Sequence, residues 1–225
     1  MDDAESNESD AFAVNATGAQ NFAIAASETD AKLVQVSTDY VFDGSAKSPY
    51  DEATTLNPIS AYGQTKAEGE RLALAANPDG TYIVRTAWLY GAGGPNFAKT
   101  MLRLAQSHDT VSVVTDQLGQ PTWTGDLARQ IVELLDADAA PGIYHATNSG
   151  EASWFDFTRE IFQVVGLDPS RVKETTSAQF VRPAPRPDYS VLGHEAWGRA
   201  GISPMRNWRA ALSAAYSARA LEIVF

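Results

Sequence analysis

The chain has 225 residues and no cysteine, 44% of its residues are hydrophobic, and its formal net charge at pH 7 is -11. The absence of cysteine excludes disulfides, thiolate catalysis and cysteine-based metal sites, and it fits a reducing cytoplasm. The acidic charge disfavours binding to nucleic acid or to an anionic membrane surface, and no apolar run reaches the roughly 18 to 20 residues of a membrane span.

The N-terminal half of the chain alternates predicted helices and strands. An apolar stripe predicts a helix over residues 9–27, and residues 32–37 predict a buried strand. After a loop that contains glycine and proline, residues 60–76 are rich in helix formers, and residues 82–87 predict the next strand. This alternation is typical of a parallel α/β sheet.

The C-terminal half shows a looser pattern that contains both helices and strands. We expect helices near residues 96–107, 124–136, 153–165 and 205–218, and short strands at 111–114 and 142–146. The prolines between Arg182 and Pro187 exclude a helix or a central strand in that segment. We therefore predict a Rossmann-like parallel sheet over residues 1–110 and a smaller α/β lobe over residues 111–225, interleaved with the first region.

Tyr62 and Lys66 form the sharpest candidate for a chemical site. They lie four residues apart near the start of a predicted helix, so both side chains project from one face. A free tyrosine has a pKa of roughly 10, and a nearby ammonium group lowers it by stabilising the phenolate. Such a pair can exchange a proton with a substrate oxygen, although a surface tyrosine and a solvated lysine often share this spacing by chance.

Two hydroxyl-bearing residues end the strand that precedes this helix. Ser37 and Thr38 follow the apolar part of the strand, and ligands of open α/β sheets bind just beyond the carboxyl ends of the strands. Ordinary strand-end capping is the structural alternative for both residues. Their place in the chain nevertheless favours a ligand site that also includes Tyr62 and Lys66.

Several stretches of the sequence carry a more specific signal. They are Val14–Ala19, Ser37–Gly44, Tyr62–Lys66, Arg85–Gly91, Asn96–Met101 and Asp116–Thr122. With this order and spacing, from about Asp2 to Tyr216, the chain resembles the dTDP-4-dehydrorhamnose reductase family. That family lies within the extended short-chain dehydrogenase/reductase superfamily.

The resemblance implies an NADPH- or NADH-dependent reduction of the C4 ketone of dTDP-4-dehydro-beta-L-rhamnose. It implies a catalytic triad in which Tyr62 donates a proton, Lys66 lowers the pKa of Tyr62 and holds the cofactor ribose, and Thr38 hydrogen-bonds the substrate oxygen. Val36 lies where the strand passes the cofactor. The positions that match substrate contacts are Thr38, Asp39, Tyr40 and Trp88. No metal site is expected, and a homodimer is compatible with the resemblance.

Each of these positions also has a purely structural explanation. Trp88 is explained as a core residue, Tyr40 as loop packing, and Asp39 and Asp116 as turn residues. The reductase hypothesis instead expects one pocket that reaches both Trp88 and Asp116.

The chain departs from the family at its N-terminus. A dinucleotide-binding fold begins with a strand, a glycine-rich turn and a helix, whereas the glycines of Gly91–Gly94 follow a later strand. We therefore expect an N-terminally truncated sheet, with roughly two βαβ units of about 30 residues each upstream of Met1. The strand at 32–37 then has an open edge. The alternative function is a non-catalytic fragment or an accessory subunit of the same fold.

Overall fold

The computed structural model describes residues 1–180 and 182–222. Within them the strands are β1 (Leu33–Thr38), β2 (Thr81–Thr86), β3 (Leu89–Tyr90), β4 (Val111–Val114), β5 (Leu118–Gly119), β6 (Thr122–Trp123), β7 (Gly142–His145), β8 (Ala152–Ser153) and β9 (Val172–Thr175). The helices are α1 (Asp2–Ser6), α2 (Glu8–Phe12), α3 (Gly18–Glu28), α4 (Ala61–Ala76), α5 (Phe97–Ser107), α6 (Thr124–Asp136), α7 (Trp154–Val164), α8 (Glu195–Arg199) and α9 (Trp208–Ser217). In this part of the chain, no helix combines the length and the apolar character needed to cross a bilayer.

A parallel sheet with the strand order β1-β2-β7 positions the candidate site. β2 is buried along its whole length, and the register places Ser37 opposite Arg85 and Thr38 opposite Thr86. Among the described strands β1 lies at the edge of this sheet, where the side chain of Val36 is 40% exposed. β7 lies beyond residue 110 and still pairs with β2, so both halves of the chain contribute to one sheet.

The helix expected over residues 9–27 is present, but a π-helical turn divides it. α2 ends at Phe12, the π turn covers Ala13–Thr17, and α3 begins at Gly18. Within the turn, Asn15 donates a hydrogen bond from Nδ2 to the hydroxyl of Thr65 on α4 at 3.1 Å. Because a π turn adds only one residue to the local repeat, the apolar spacing alone predicts a continuous helix.

A hydrophobic core forms around α5, α7 and α9. Its fully buried side chains include Phe157, Ile161, Phe162, Trp208 and Leu212, and each contributes about 1.5 to 3 kcal/mol by leaving water. Three short strand pairs, β3–β6, β4–β9 and β5–β8, accompany these helices. Of these strands, only β4 was predicted. Strands of two residues are too short to show a period, which is why most of the others were missed.

Candidate active site

Three buried side-chain oxygens lie at or just beyond the carboxyl ends of β1 and β2. They are Oγ of Ser37, Oγ1 of Thr86 and Oδ2 of Asp39, and none has a hydrogen-bond partner within the described residues. Buried polar atoms are nearly always paired in folded proteins, because an unpaired one costs about 1 to 3 kcal/mol. All three residues line one cavity of about 300 Å³. This end of the sheet is therefore suited to a ligand that carries polar groups.

A single turn of 3-10 helix, Asp39–Val41, fixes the residues that follow β1. The hydroxyl of Thr38 accepts from the backbone N–H of Tyr40 at 3.2 Å and donates to Oδ1 of Asp39 at 2.9 Å. Burial raises the pKa of Asp39 to about 6, and the nearby hydroxyls of Ser190 and Thr38 offset only part of that rise. Asp39 therefore changes its charge close to neutral pH, inside the cavity.

Because burial raises its pKa, the ionised form of Asp39 destabilises the folded chain. We expect Asp39→Asn to remove this destabilisation. Between pH 3.8 and about 6 the unfolded carboxyl ionises while the folded one stays protonated, so the native state loses stability as pH rises. We expect the variant to exceed the parent chain in free energy of unfolding by up to about 3 kcal/mol above pH 6, with the difference vanishing toward pH 3.8. Urea unfolding across this pH range measures it.

Asp43 provides the matched control for this prediction. Hydrogen bonds from Ser45 and Tyr50 lower the pKa of Asp43, which is the opposite direction. Asp43→Asn should therefore lose stability at neutral pH, and that loss should shrink as pH falls below the ordinary aspartate pKa. A parent chain that is as stable as Asp39→Asn at neutral pH would contradict the account of Asp39.

The start of α4 brings Tyr62 to the same cavity. Ser60 caps the helix by accepting from the N–H of Gly63 at 3.1 Å. A Cβ atom on Gly63 would lie 2.2 Å from the carbonyl oxygen of Tyr40, so only glycine lets the helix approach the 3-10 turn this closely. The approach places the ring of Tyr62 edge-on to that of Tyr40, with ring centroids 5.8 Å apart.

Lys66 lies one turn further along α4 and lines the cavity, but its hydrogen bond goes to the backbone. Its Nζ donates to the carbonyl oxygen of Val36, on β1, at 2.6 Å. Burial lowers the pKa of Lys66, and the charge of Glu70 opposes this shift. Burial also raises the pKa of Tyr62 above its usual value, although the Thr38 hydroxyl acts in the other direction. The expected lowering of the Tyr62 pKa by Lys66 is thus not found in this structure.

Trp88 forms an aromatic wall of the cavity. Its indole stacks on that of Trp154, the first residue of α7, with centroids 3.5 Å apart and an interplanar angle of 7°. Trp88 has a φ of 48°, a conformation that bulky residues rarely adopt. Sequence reasoning did not identify Trp154, because nothing in the local pattern links a helix start to a strand end so far away in the chain.

The cavity brings together the catalytic, cofactor-binding and substrate-binding candidates that the sequence predicted, but not Asp116. Its lining includes Val36, Ser37, Thr38, Asp39, Tyr40, Tyr62, Lys66 and Trp88, which the sequence placed at the site, and adds Met1, Thr86, Ala87, Leu89 and Trp154. Asp116 is not part of the lining. Its carboxylate accepts from the backbone N–H and the hydroxyl of Ser177 instead, so the expectation that one pocket reaches Asp116 is wrong.

A second cavity, of about 320 Å³, adjoins the first and shares Tyr40 and Trp154 with it. Its other lining residues include apolar, amide, hydroxyl and guanidinium side chains: Phe97, Met101, Ser112, Val113, Val114, Gln117, Phe180, Arg182 and Arg186. Arg186 pairs with the carboxylate of Asp2 at 3.3 Å. The two arginines interrupt a proline-rich segment, which is a weak sequence signal for a binding site. The sequence analysis considered only the backbone of this segment and therefore did not predict them.

Comparison with known proteins shows that the chain is similar to reductases of dTDP-linked keto sugars. dTDP-4-dehydrorhamnose reductase of Streptomyces griseus is 51% identical over 222 residues, which are 97% of this chain and 73% of the relative. dTDP-4-keto-6-deoxy-D-glucose reductase of Streptomyces niveus is 49% identical, over 95% of this chain and 74% of the relative. This chain thus spans about three quarters of the length of each.

The fold agrees with these relatives. The crystal structure of dTDP-4-dehydrorhamnose reductase from Bacillus anthracis in complex with NADP matches with a TM-score of 0.93 at 38% identity, over 97% of this chain and 76% of that one. The Rossmann-like α/β fold predicted from the sequence is therefore confirmed. A family model described as the RmlD substrate binding domain matches residues 1–220. The chain belongs to this family, that of the dTDP-4-dehydrorhamnose reductases.

Proposed function

We propose that this chain reduces the C4 ketone of dTDP-4-dehydro-beta-L-rhamnose to dTDP-L-rhamnose, with NADPH or NADH as the reductant. The names of its relatives point to reduction of a dTDP-linked keto sugar. The observation that carries the proposal is the cavity at the carboxyl end of the sheet, which holds Thr38, Tyr62 and Lys66 together beside unpaired buried oxygens.

The residues of the cavity fit a nicotinamide cofactor, of which NADP is the form bound by the Bacillus anthracis relative. When bound, the cofactor supplies the hydrogen and electron pair that reduce the sugar carbon. Lys66 and the Val36 carbonyl offer a donor and an acceptor suited to ribose hydroxyls. Ser37 and Thr86 also line this cavity, and their hydroxyl oxygens are buried without a hydrogen-bond partner among the described residues.

Tyr62 is the proton donor in this proposal. Because burial raises its pKa, the phenol keeps its proton at neutral pH and gives it up only when negative charge develops on the substrate oxygen. Thr38 supplies a second hydroxyl in the same cavity, and the ammonium group of Lys66 attracts the developing charge.

The adjoining cavity suits the nucleotide part of the substrate. Arg182 and Arg186 can bind a diphosphate through charge-assisted hydrogen bonds, and Phe97, Phe180 and Trp154 offer faces for a planar base. Most of these residues come from the region 111–225, which we propose contributes mainly to sugar-nucleotide binding. Region 1–110, with Val36, Tyr62 and Lys66, contributes mainly to cofactor binding.

A non-catalytic or accessory role is the second candidate function. It is favoured by the position of β1 at the edge of the sheet, where it pairs with β2 alone among the described strands and can accept another chain. The grouping of Thr38, Tyr62 and Lys66 in one cavity favours the reductase.

A cofactor titration and an assay test the reductase proposal. NADPH fluorescence is followed with the 225-residue chain, and with a fusion in which the segment of the Streptomyces griseus relative that this chain does not match precedes Met1. Oxidation of NADPH is then assayed with dTDP-4-dehydrorhamnose. Saturable binding and turnover by either protein, abolished by Lys66→Ala, supports the proposal. If neither protein turns over the sugar, the reductase proposal fails and the accessory role gains support.

A further inference from the structure

The short helix α1 carries two carboxylates on one face. Asp2 and Glu5 lie three residues apart, so their side chains project from the same side of this single helical turn. Ala4, which lies between them, is buried, so the turn is packed against the rest of the fold. Neither Asp2 nor Glu5 lines either cavity, so both are placed to act on other residues rather than on a ligand.

Asp2 holds the segment that carries Arg186. Nη2 of Arg186 lies 3.3 Å from both carboxylate oxygens of Asp2, and the backbone N–H of Ala184 donates to Oδ1 of Asp2, also at 3.3 Å. Nη1 of Arg186 donates to the carbonyl oxygen of Ala184 at 3.1 Å. Nε of Arg186 has no acceptor within the described residues. Asp2 and Ala184 thus fix one side of the guanidinium, and its remaining donors are left for a ligand in the adjoining cavity.

Glu5 holds the start of α4 from the same helical turn. Its Oε1 accepts from the backbone N–H of Ala61, the first residue of α4, at 2.8 Å. The first N–H groups of a helix have no partner within the helix, and a negative charge beside them is favourable. Tyr62 follows Ala61 directly in the chain, so this contact fixes the turn of α4 that carries the proposed proton donor.

We propose that Asp2 and Glu5 are positioning residues through which α1 links Arg186 to the start of α4, so that a diphosphate bound at Arg186 also steadies Tyr62. This inference rests on the proposed function, which places the diphosphate at Arg186 and proton transfer at Tyr62. A sugar nucleotide held at one end and protonated at the other reacts only if the two groups keep their spacing. Misplacement of a reacting group by about 1 Å can lower a rate by about 100-fold.

The test compares Asp2→Ala and Glu5→Ala with Asp2→Asn and Glu5→Gln, each of which keeps an acceptor oxygen. Asp3→Ala and Glu8→Ala are the matched controls. Each removes one carboxylate from the same stretch, where both side chains are exposed and make no hydrogen bond or ion pair within the described residues. Calorimetry measures the Kd of dTDP, amide hydrogen exchange reports the first turn of α4 with and without dTDP, and steady-state assays give KM and kcat.

We expect each alanine variant to affect the end of the link that it does not contact. Asp2→Ala should raise the Kd of dTDP about 10-fold and also lower kcat several-fold. Glu5→Ala should lower kcat about 10-fold and also raise the Kd of dTDP several-fold, although Glu5 does not line the nucleotide cavity.

The exchange experiment reports the link without any turnover. In the parent chain, dTDP should slow amide exchange in the first turn of α4, and both alanine variants should lose this effect. Their effects should not multiply in the double variant, because either substitution breaks the same link. Asp2→Asn and Glu5→Gln should retain most of the parent behaviour, and the two controls should match the parent chain.

Several results would overturn the inference. If each alanine variant changes only the end that it contacts, Asp2 and Glu5 have separate local roles. If Asp2→Ala tightens dTDP binding, Asp2 competes with the diphosphate instead of positioning Arg186. If Asp3→Ala or Glu8→Ala has the same effects, the charge of the segment is responsible and the contacts are not.

Binding and exchange with dTDP separate this inference from the proposed function. A parent chain that binds dTDP without reducing the sugar contradicts the reductase proposal, and the link between Arg186 and α4 is still measured. A parent chain that does not bind dTDP overturns the inference, whatever its activity.

Discussion

Tyr62→Phe is expected to lower kcat for sugar reduction by about 100- to 10,000-fold, the usual contribution of a positioned proton donor. Phenylalanine keeps the ring that packs edge-on against Tyr40, so the fold and the shape of the cavity should persist. Only the hydroxyl is lost, and with it the proton that the buried phenol holds at neutral pH. Steady-state kinetics together with cofactor titration separate the loss of chemistry from a loss of binding.

Tyr40→Phe is the matched control for this prediction. Tyr40 lines the same cavity and its ring contacts the ring of Tyr62. Burial raises the pKa of the Tyr40 phenol, as it does for Tyr62. Its hydroxyl is proposed to contact substrate rather than to transfer the proton, so the expected effect is mainly on KM. If Tyr40→Phe lowered kcat as much as Tyr62→Phe, the assignment of the proton donor to Tyr62 would be wrong.

The segment from β1 to β2 was the most predictable part of the fold. Its apolar strands alternate with a long helix of good helix formers, and each local preference agrees with the parallel sheet that forms. The positions of Thr38, Tyr62 and Lys66 follow from this order, because a strand end and the start of the next helix lie at the same edge of a parallel sheet. The order of the elements placed these residues at one edge of the sheet, and the family resemblance implied that they form one site.

The partner of Lys66 could not be predicted from spacing. An i,i+4 relation fixes the helix face from which a side chain projects but not the atom that its end group contacts. Here the carbonyl oxygen of Val36, on an edge strand, accepts a hydrogen bond from the ammonium group of Lys66. The residues of the adjoining cavity were missed for a related reason. Trp154, Phe180 and Arg186 meet there through long-range packing that leaves no local periodicity.

A buried ion pair lies behind the site, between α4 and β2. The guanidinium of Arg85 donates to both carboxylate oxygens of Glu70, at 2.7 to 3.2 Å, and both side chains are almost fully buried. The same guanidinium donates to the carbonyl oxygen of Glu52 and lies 3.2 Å from Nε2 of His145. Burial lowers the pKa of His145 to about 3, so this imidazole is neutral and leaves Glu70 as the charged partner.

Glu70→Gln is expected to lower the free energy of unfolding by about 3 to 5 kcal/mol, because it leaves a buried charge uncompensated. Glu68→Gln, on the same helix, is the control: it breaks an exposed pair with Arg71 whose atoms lie only 2.6 Å apart, and should cost less than about 1 kcal/mol. Urea unfolding at neutral pH measures the free energy of unfolding of both variants.

Equal losses in the two variants would mean that burial does not decide the contribution of the Arg85–Glu70 pair. A small loss in both would mean that water or a rearranged neighbour compensates the charge of Arg85.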